Sequence, residues 1–112
     1  MDLIDRLRDL AARVQPQLER LATEEATKTA LVLPFLNALG YDVFNPLEVV
    51  PEFTADVGIK KGEKVDYAIV IAGKPALLIE AKHFGTNLDN AYSSQLYRYF
   101  SVTPAPIGIL TN

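Results

Sequence analysis

Two acids and an amine stand out by their spacing. Asp66 and Glu80 lie in the short aliphatic runs Val65–Ile71 and Ala76–Ala81, and Ala72-Gly73-Lys74-Pro75 between them predicts an antiparallel hairpin. With Gly73 at its centre, Asp66 falls opposite Glu80 on one face of the sheet. Lys82, two residues on, returns to that face, whereas Val65, Tyr67, Ile69, Leu77 and Ile79 are expected on the other. Paired carboxylates in an aliphatic hairpin repel each other and lose hydration, and a cation between them removes both costs. Hard oxygens, with no Cys and no His at ligand spacing, favour Mg²⁺ or its substitute Mn²⁺, and the backbone carbonyl of Ala81 is a further oxygen within reach. Such an ion would polarise a phosphoryl oxygen and make water more acidic. Lys82 would orient or deprotonate that water and offset charge growing on phosphate. The same spacing also suits a surface salt-bridge cluster, worth about 0–1 kcal/mol, and spacing alone does not choose between the two.

The elements that must carry these residues are legible in outline. Apolar residues from Leu3 to Leu21 recur at three- and four-residue intervals, which predicts an amphipathic helix capped by Asp2 and kinked or divided at Pro16. Thr23 is a suitable cap for a second helix, with Glu24 and Glu25 in its first turn, a bend near Pro34 and a stop at Gly40. Residues 47–53, interrupted by Pro46 and Pro51, predict an edge strand, and Thr54–Lys61 a loop. After the hairpin, residues 88–101 suit a helix capped by Asn87, and Ile107–Leu110 a last buried strand. The expected order is α-α-β-β-β-α-β, an α/β or α+β arrangement with a mixed sheet of about four strands flanked by helices. Residues 1–112 are expected to form one domain, with 1–22 a helical extension and 23–112 the core.

Composition bounds the function. At 12.3 kDa, with 49% hydrophobic and 22% charged residues, the chain is ordinary globular protein. The absence of Cys excludes disulfides, thiolate nucleophiles and zinc–thiolate sites. No apolar run approaches the roughly 20 residues of a membrane span, and the N-terminus lacks the apolar stretch of a signal peptide, so a cytoplasmic setting without membrane is expected. The net charge of −3 speaks mildly against nucleic acid, but its distribution matters more. Lys60, Lys61, Lys64, Lys74 and Lys82 outnumber Glu63, Asp66 and Glu80 in the central segment, where a polyanion would be met. Lys60, Lys61 and Lys64 form a short basic loop able to hold DNA phosphates, or equally a solvated turn. His83 is expected to point away from Lys82 and to have no catalytic part.

Asp66, thirteen intervening residues, and then Glu80-Ala81-Lys82 resembles the D…ExK signature of the PD-(D/E)xK nuclease superfamily. More specific is an ordered set: Leu33-Pro34-Phe35-Leu36 through Leu39-Gly40-Tyr41-Asp42, Lys64-Val65-Asp66-Tyr67-Ala68-Ile69, Leu78-Ile79-Glu80-Ala81-Lys82, Gln95-Leu96-Tyr97-Arg98-Tyr99-Phe100 and Gly108-Ile109-Leu110-Thr111-Asn112. Together these resemble the N-terminal nuclease domain of the restriction (R) subunit of type I restriction enzymes, over about residues 20–112. Val65 departs from the superfamily's name, which has Pro there.

The resemblance implies a restriction-endonuclease-like core and a Mg²⁺-dependent DNA endonuclease of the restriction or defence type. Asp66 and Glu80 would hold the metal and Lys82 would be the catalytic lysine. Glu24 matches the helix acid that often completes such sites, with Glu25 a competitor for the role. Gln95 and Tyr99 match a Q-x-x-x-Y element whose two side chains share one helix face, and with Arg98 they would place the DNA backbone. DNA is the implied partner, with other restriction subunits or motor domains beside it. No Gly-rich phosphate loop occurs, so no ATP site is expected in this chain. The alternative is a non-catalytic DNA-binding or partner-docking module of the same fold. A plain assembly domain that forms a homodimer through its first helix is a third.

Overall fold

The computed structural model describes residues 2–54, 64–101 and 103–112. Helix α1 spans Leu3–Val14, and Asp2 caps it by accepting the Asp5 N–H at 3.0 Å. Pro16 ends its regular part, since proline has no N–H for the helical ladder, and a 3₁₀ stretch, Gln15–Arg20, follows. Thr23 caps α2 (Glu24–Thr27) by accepting the Ala26 N–H at 3.0 Å. The chain then widens into a π turn, Lys28–Val32, before α3 (Leu33–Ala38). Pro34 offers no N–H to Ala30, and the Leu33 N–H reaches the Lys28 carbonyl five residues back, so the irregularity lies in the turn before Pro34. At the end of α3, Gly40 adopts φ 104° while the Gly40 and Tyr41 amides close on the Asn37 and Leu36 carbonyls at 3.0 and 3.2 Å.

The protein is α+β, with a four-stranded mixed sheet in the order β1-β2-β3-β4. Strands β1 (Val49–Thr54), β2 (Lys64–Ile71) and β3 (Lys74–Ala81) are antiparallel, and β4 (Ile107–Thr111) returns parallel to β3 after helix α4 (Asn90–Ser101). The Asp89 side chain, not Asn87, receives an N–H of the first turn of α4, from Tyr92 at 3.3 Å. The loop expected over Thr54–Lys61 lies outside the described residues except for Thr54, which ends β1.

Each face of the sheet has its own core. Val32 and Leu36 pack on Val49, Tyr67, Ile69, Ile79 and Ala81, while Leu96 and Tyr99 of α4 pack on Val65, Ala68 and Leu78. Helix α1 lies along α3 and buries Leu10. Val65 therefore faces α4, not the side of Tyr67 that strict alternation predicts. At the same level of the neighbouring strand β1, Glu52 takes φ 52° and leaves the regular pleat. Register holds across it, with Pro51 opposite Tyr67 and Phe53 opposite Val65. Alternation does not, because Val50, Phe53, Ala68 and Val65 all join the α4 side. Strand β4 is an outer strand among the described residues, and its Ile107 and Ile109 remain exposed, which corrects the expected buried strand.

Candidate functional site

The site forms where the β2–β3 ladder ends. Tyr67 pairs with Ile79, and the same register carried one step further sets Asp66 against Glu80. Beyond that last pair the Ala81 N–H turns to a side chain, donating to Asp66 Oδ2 at 2.8 Å. The structure thus places the Ala81 amide at the site, against Asp66.

The two acids meet as the spacing requires. Glu80 is buried, 4% exposed, and its carboxyl is in hydrogen-bonding contact with that of Asp66. Burial first, then the hydrogen bond and charge of Asp66, push the Glu80 pKa up to about 8, with Lys82 pulling the other way and Glu24 adding to the rise. Two carboxyl groups held in contact need a proton or a cation between them.

Lys82 is half-buried, with Nζ 4.7 Å from the centre of the Tyr92 ring on the first turn of α4. It leans toward α4, whereas Asp66 reaches toward α2. Asp66 and Lys82 both act on Glu80 between them, the first through contact and the second through its charge.

Lys28 was not singled out by its sequence context. It is 9% exposed at the start of the π turn, with Nζ 2.5 Å from Glu25 Oε1 and 3.3 Å from Asp66 Oδ1. Burial alone would lower the pKa of its ammonium, but the hydrogen bond to Glu25 and the attraction of Asp66 outweigh it and hold the value above the ordinary range. One signal was available. Lys28, Val32 and Leu36 are spaced by four on one buried stripe, where a lysine has to find carboxylates.

Of the remaining expected site residues, Glu24 comes close enough for its charge to act on Glu80, while Glu25 turns to Lys28. Among the described residues no three His, Asp or Glu side chains group closely enough to hold a metal ion, so Glu24 does not complete a three-acid set. Gln95 and Tyr99 share a face of α4 and bond each other, Gln95 Nε2 donating to the Tyr99 hydroxyl at 2.7 Å, with Tyr99 buried in the core. Arg98 is exposed and lines an outer groove with Ser94 and Tyr97. Lys64 is exposed and 3.9 Å from Glu52, and Lys60 and Lys61 lie outside the described residues.

Two contacts fasten α2 and the segment just before it to the chain leaving β3. Thr27, fully buried, accepts the Phe84 N–H at 3.2 Å and donates to the Thr23 carbonyl. His83 Nε2 lies 2.5 Å from the Leu21 carbonyl, which can only accept, so this nitrogen carries the proton and Nδ1 accepts the Gly85 N–H at 3.1 Å. Both ring nitrogens of His83 are thus engaged with backbone.

The donor set suits a hard divalent cation. Mg²⁺ commonly binds through one or two carboxylates, the rest of its shell coming from water and substrate phosphate. Asp66 and Glu80 are the two carboxylates that could hold such an ion. In comparisons with family models, curated proteins and solved structures, nothing matches the chain.

Proposed function

We propose that this chain is a Mg²⁺-dependent phosphodiesterase domain acting on DNA, with a restriction-endonuclease-like core related to the nuclease domain of type I restriction R subunits. The observation that supports it most is the contact between the Asp66 and Glu80 carboxyls, at the end of a hairpin ladder and two residues before Lys82. A charge-repelling pair kept at the rim of a core has a use if it takes a cation.

Asp66 and Glu80 would hold the ion, Asp66 being oriented by the Ala81 amide. The ion would supply polarisation of a phosphoryl oxygen and acidify water for attack. Lys82, steadied by the Tyr92 ring, would orient that water and offset the charge that builds on phosphate. Gln95, tied to Tyr99, keeps its amide oxygen and a second N–H for the DNA backbone. Lys64, with Lys60 and Lys61 before it in sequence, adds positive charge on the approach.

The test is cleavage of plasmid DNA with Mg²⁺ or Mn²⁺, together with thermal melting. Divalent ion should raise the melting temperature of the wild type and leave Asp66→Ala nearly unmoved. Lys82→Ala should cut about 100-fold more slowly, the lower end of what a positioned acid–base group contributes. Full-rate cleavage by Lys82→Ala would overturn the mechanism. Metal-dependent stabilisation without cleavage would favour the docking module instead.

A further inference from the structure

We infer that the Lys28 ammonium is a built-in counter-ion of the carboxyl pair, which occupies Asp66 Oδ1 in the absence of a divalent ion and competes with that ion for it. The inference rests on Asp66 and Glu80 being a cation site. It goes beyond that reading by assigning a positioning residue on a different element, the helix facing the hairpin.

The two oxygens of Asp66 are held differently. Oδ2 takes a main-chain donor, the Ala81 amide at 2.8 Å, which fixes the orientation of the carboxylate. Oδ1 faces the ammonium at a longer 3.3 Å. Lys28 has a second and closer partner in Glu25, at 2.5 Å. If a divalent ion takes Oδ1, the ammonium remains paired and is not left as an isolated buried charge, an outcome that would otherwise be prohibitive. Glu25 is 78% exposed at its side chain, so it can receive the ammonium without a large loss of its own hydration. The π turn that begins at Lys28 sets this side chain on the buried stripe of the helix. The ammonium thus has two resting partners, one inside the site and one at its rim, and the divalent ion selects the outer one.

Such competition sets metal affinity, and its signs are opposite for the two ends of the pair. A unit positive charge a few ångströms from the bound ion opposes binding by more than tenfold even with the screening typical near a protein surface. Lys28→Met should therefore bind Mn²⁺ about tenfold more tightly than the wild type or better. Lys28→Arg keeps the charge and should stay near the wild-type affinity. Glu25→Gln removes the outer partner, leaves the ammonium to Asp66 alone and should weaken Mn²⁺ binding.

Calorimetric titration of the metal-free full chain with Mn²⁺ reads all of these, with Asp66→Ala as the reference for binding elsewhere. Tighter binding in Lys28→Met with wild-type-like binding in Lys28→Arg supports the counter-ion. If Lys28→Met does not fold, Glu25→Gln decides, because its substitution lies at the surface: weaker binding supports the inference and unchanged binding overturns it. Mn²⁺ bound by the wild type and lost in Asp66→Ala, but no tighter in Lys28→Met, overturns this inference alone. No binding by any variant overturns it together with the cation site.

Discussion

Glu80 holds a proton more tightly than an ordinary glutamate. Its pKa of about 8 in the folded chain, against 4.5 for the free side chain, arises first from burial and then from Asp66. The folded state therefore binds more protons than the unfolded chain between those two values. This contribution to stability is complete below the lower value, declines as pH rises and is gone above the upper one. Glu80→Gln, neutral throughout, should flatten that decline and melt several degrees higher than the wild type at about pH 8 without metal. Melting curves of both proteins from about pH 5 to about pH 9 check it, and parallel profiles would show that Glu80 is not the group responsible. At this scale the sequence was partly sufficient. Asp66 and Glu80 were legible because hairpin arithmetic needs only residue order. Lys28 was not, because a lysine thirty-eight residues before Asp66 acquires its meaning only when the helix docks.

The hairpin shows how an element can reach the expected pairing by another route. Its turn is two residues, Ala72 and Gly73, at φ 54° and 77°. Extended without irregularity, that turn would set Asp66 opposite Ile79. Between the pairs Val70–Pro75 and Ile69–Leu77, however, β3 carries one extra residue, Ala76, and this bulge restores Asp66 to Glu80. Centring the hairpin on Gly73 assigns the odd residue to the turn, whereas the chain places it in the strand beside Pro75, which has no N–H to lose from the ladder. Ala72 bears a left-handed conformation that alanine disfavours by roughly 1–2 kcal/mol. Ala72→Asn, creating the Asn-Gly pair such turns prefer, should stabilise the protein by about 0.5–1 kcal/mol in chemical denaturation and leave metal binding unchanged. A loss of stability would mean that the turn depends on a contact of Ala72 itself. The face switch at Glu52 had no comparable signal in sequence, since glutamate is not a residue that advertises positive φ.

Across the whole molecule, the site exists only because four elements meet. Helix α2 and the π turn after it bring Glu24 and Lys28, β2 brings Asp66, β3 and the residue that follows it bring Glu80 and Lys82, and α4 brings Tyr92. The buried Thr27 hydroxyl joins the first of these to the exit of β3. Thr27→Val keeps the shape but leaves the Phe84 N–H without its acceptor, so it should cost about 1–3 kcal/mol in denaturant unfolding. It should also weaken Mn²⁺ binding, because Lys28 lies on the next residue, whereas a stability loss with unchanged affinity would confine the tie to the fold. The sequence by itself determined the local elements, the Asp2 and Thr23 caps, the stop at Gly40, the mixed α+β order and the partnership of Asp66 with Glu80. Each of these follows from sterics, hydrogen-bonding groups or periodicity within a short stretch of chain. Only the tertiary structure decided that Val65 turns toward α4, that β4 lies at an edge among the described strands, that Lys82 rests on Tyr92 and that Lys28 sits on Asp66. Those depend on which surfaces dock, and docking is selected by burial over the whole chain and not by any window of it.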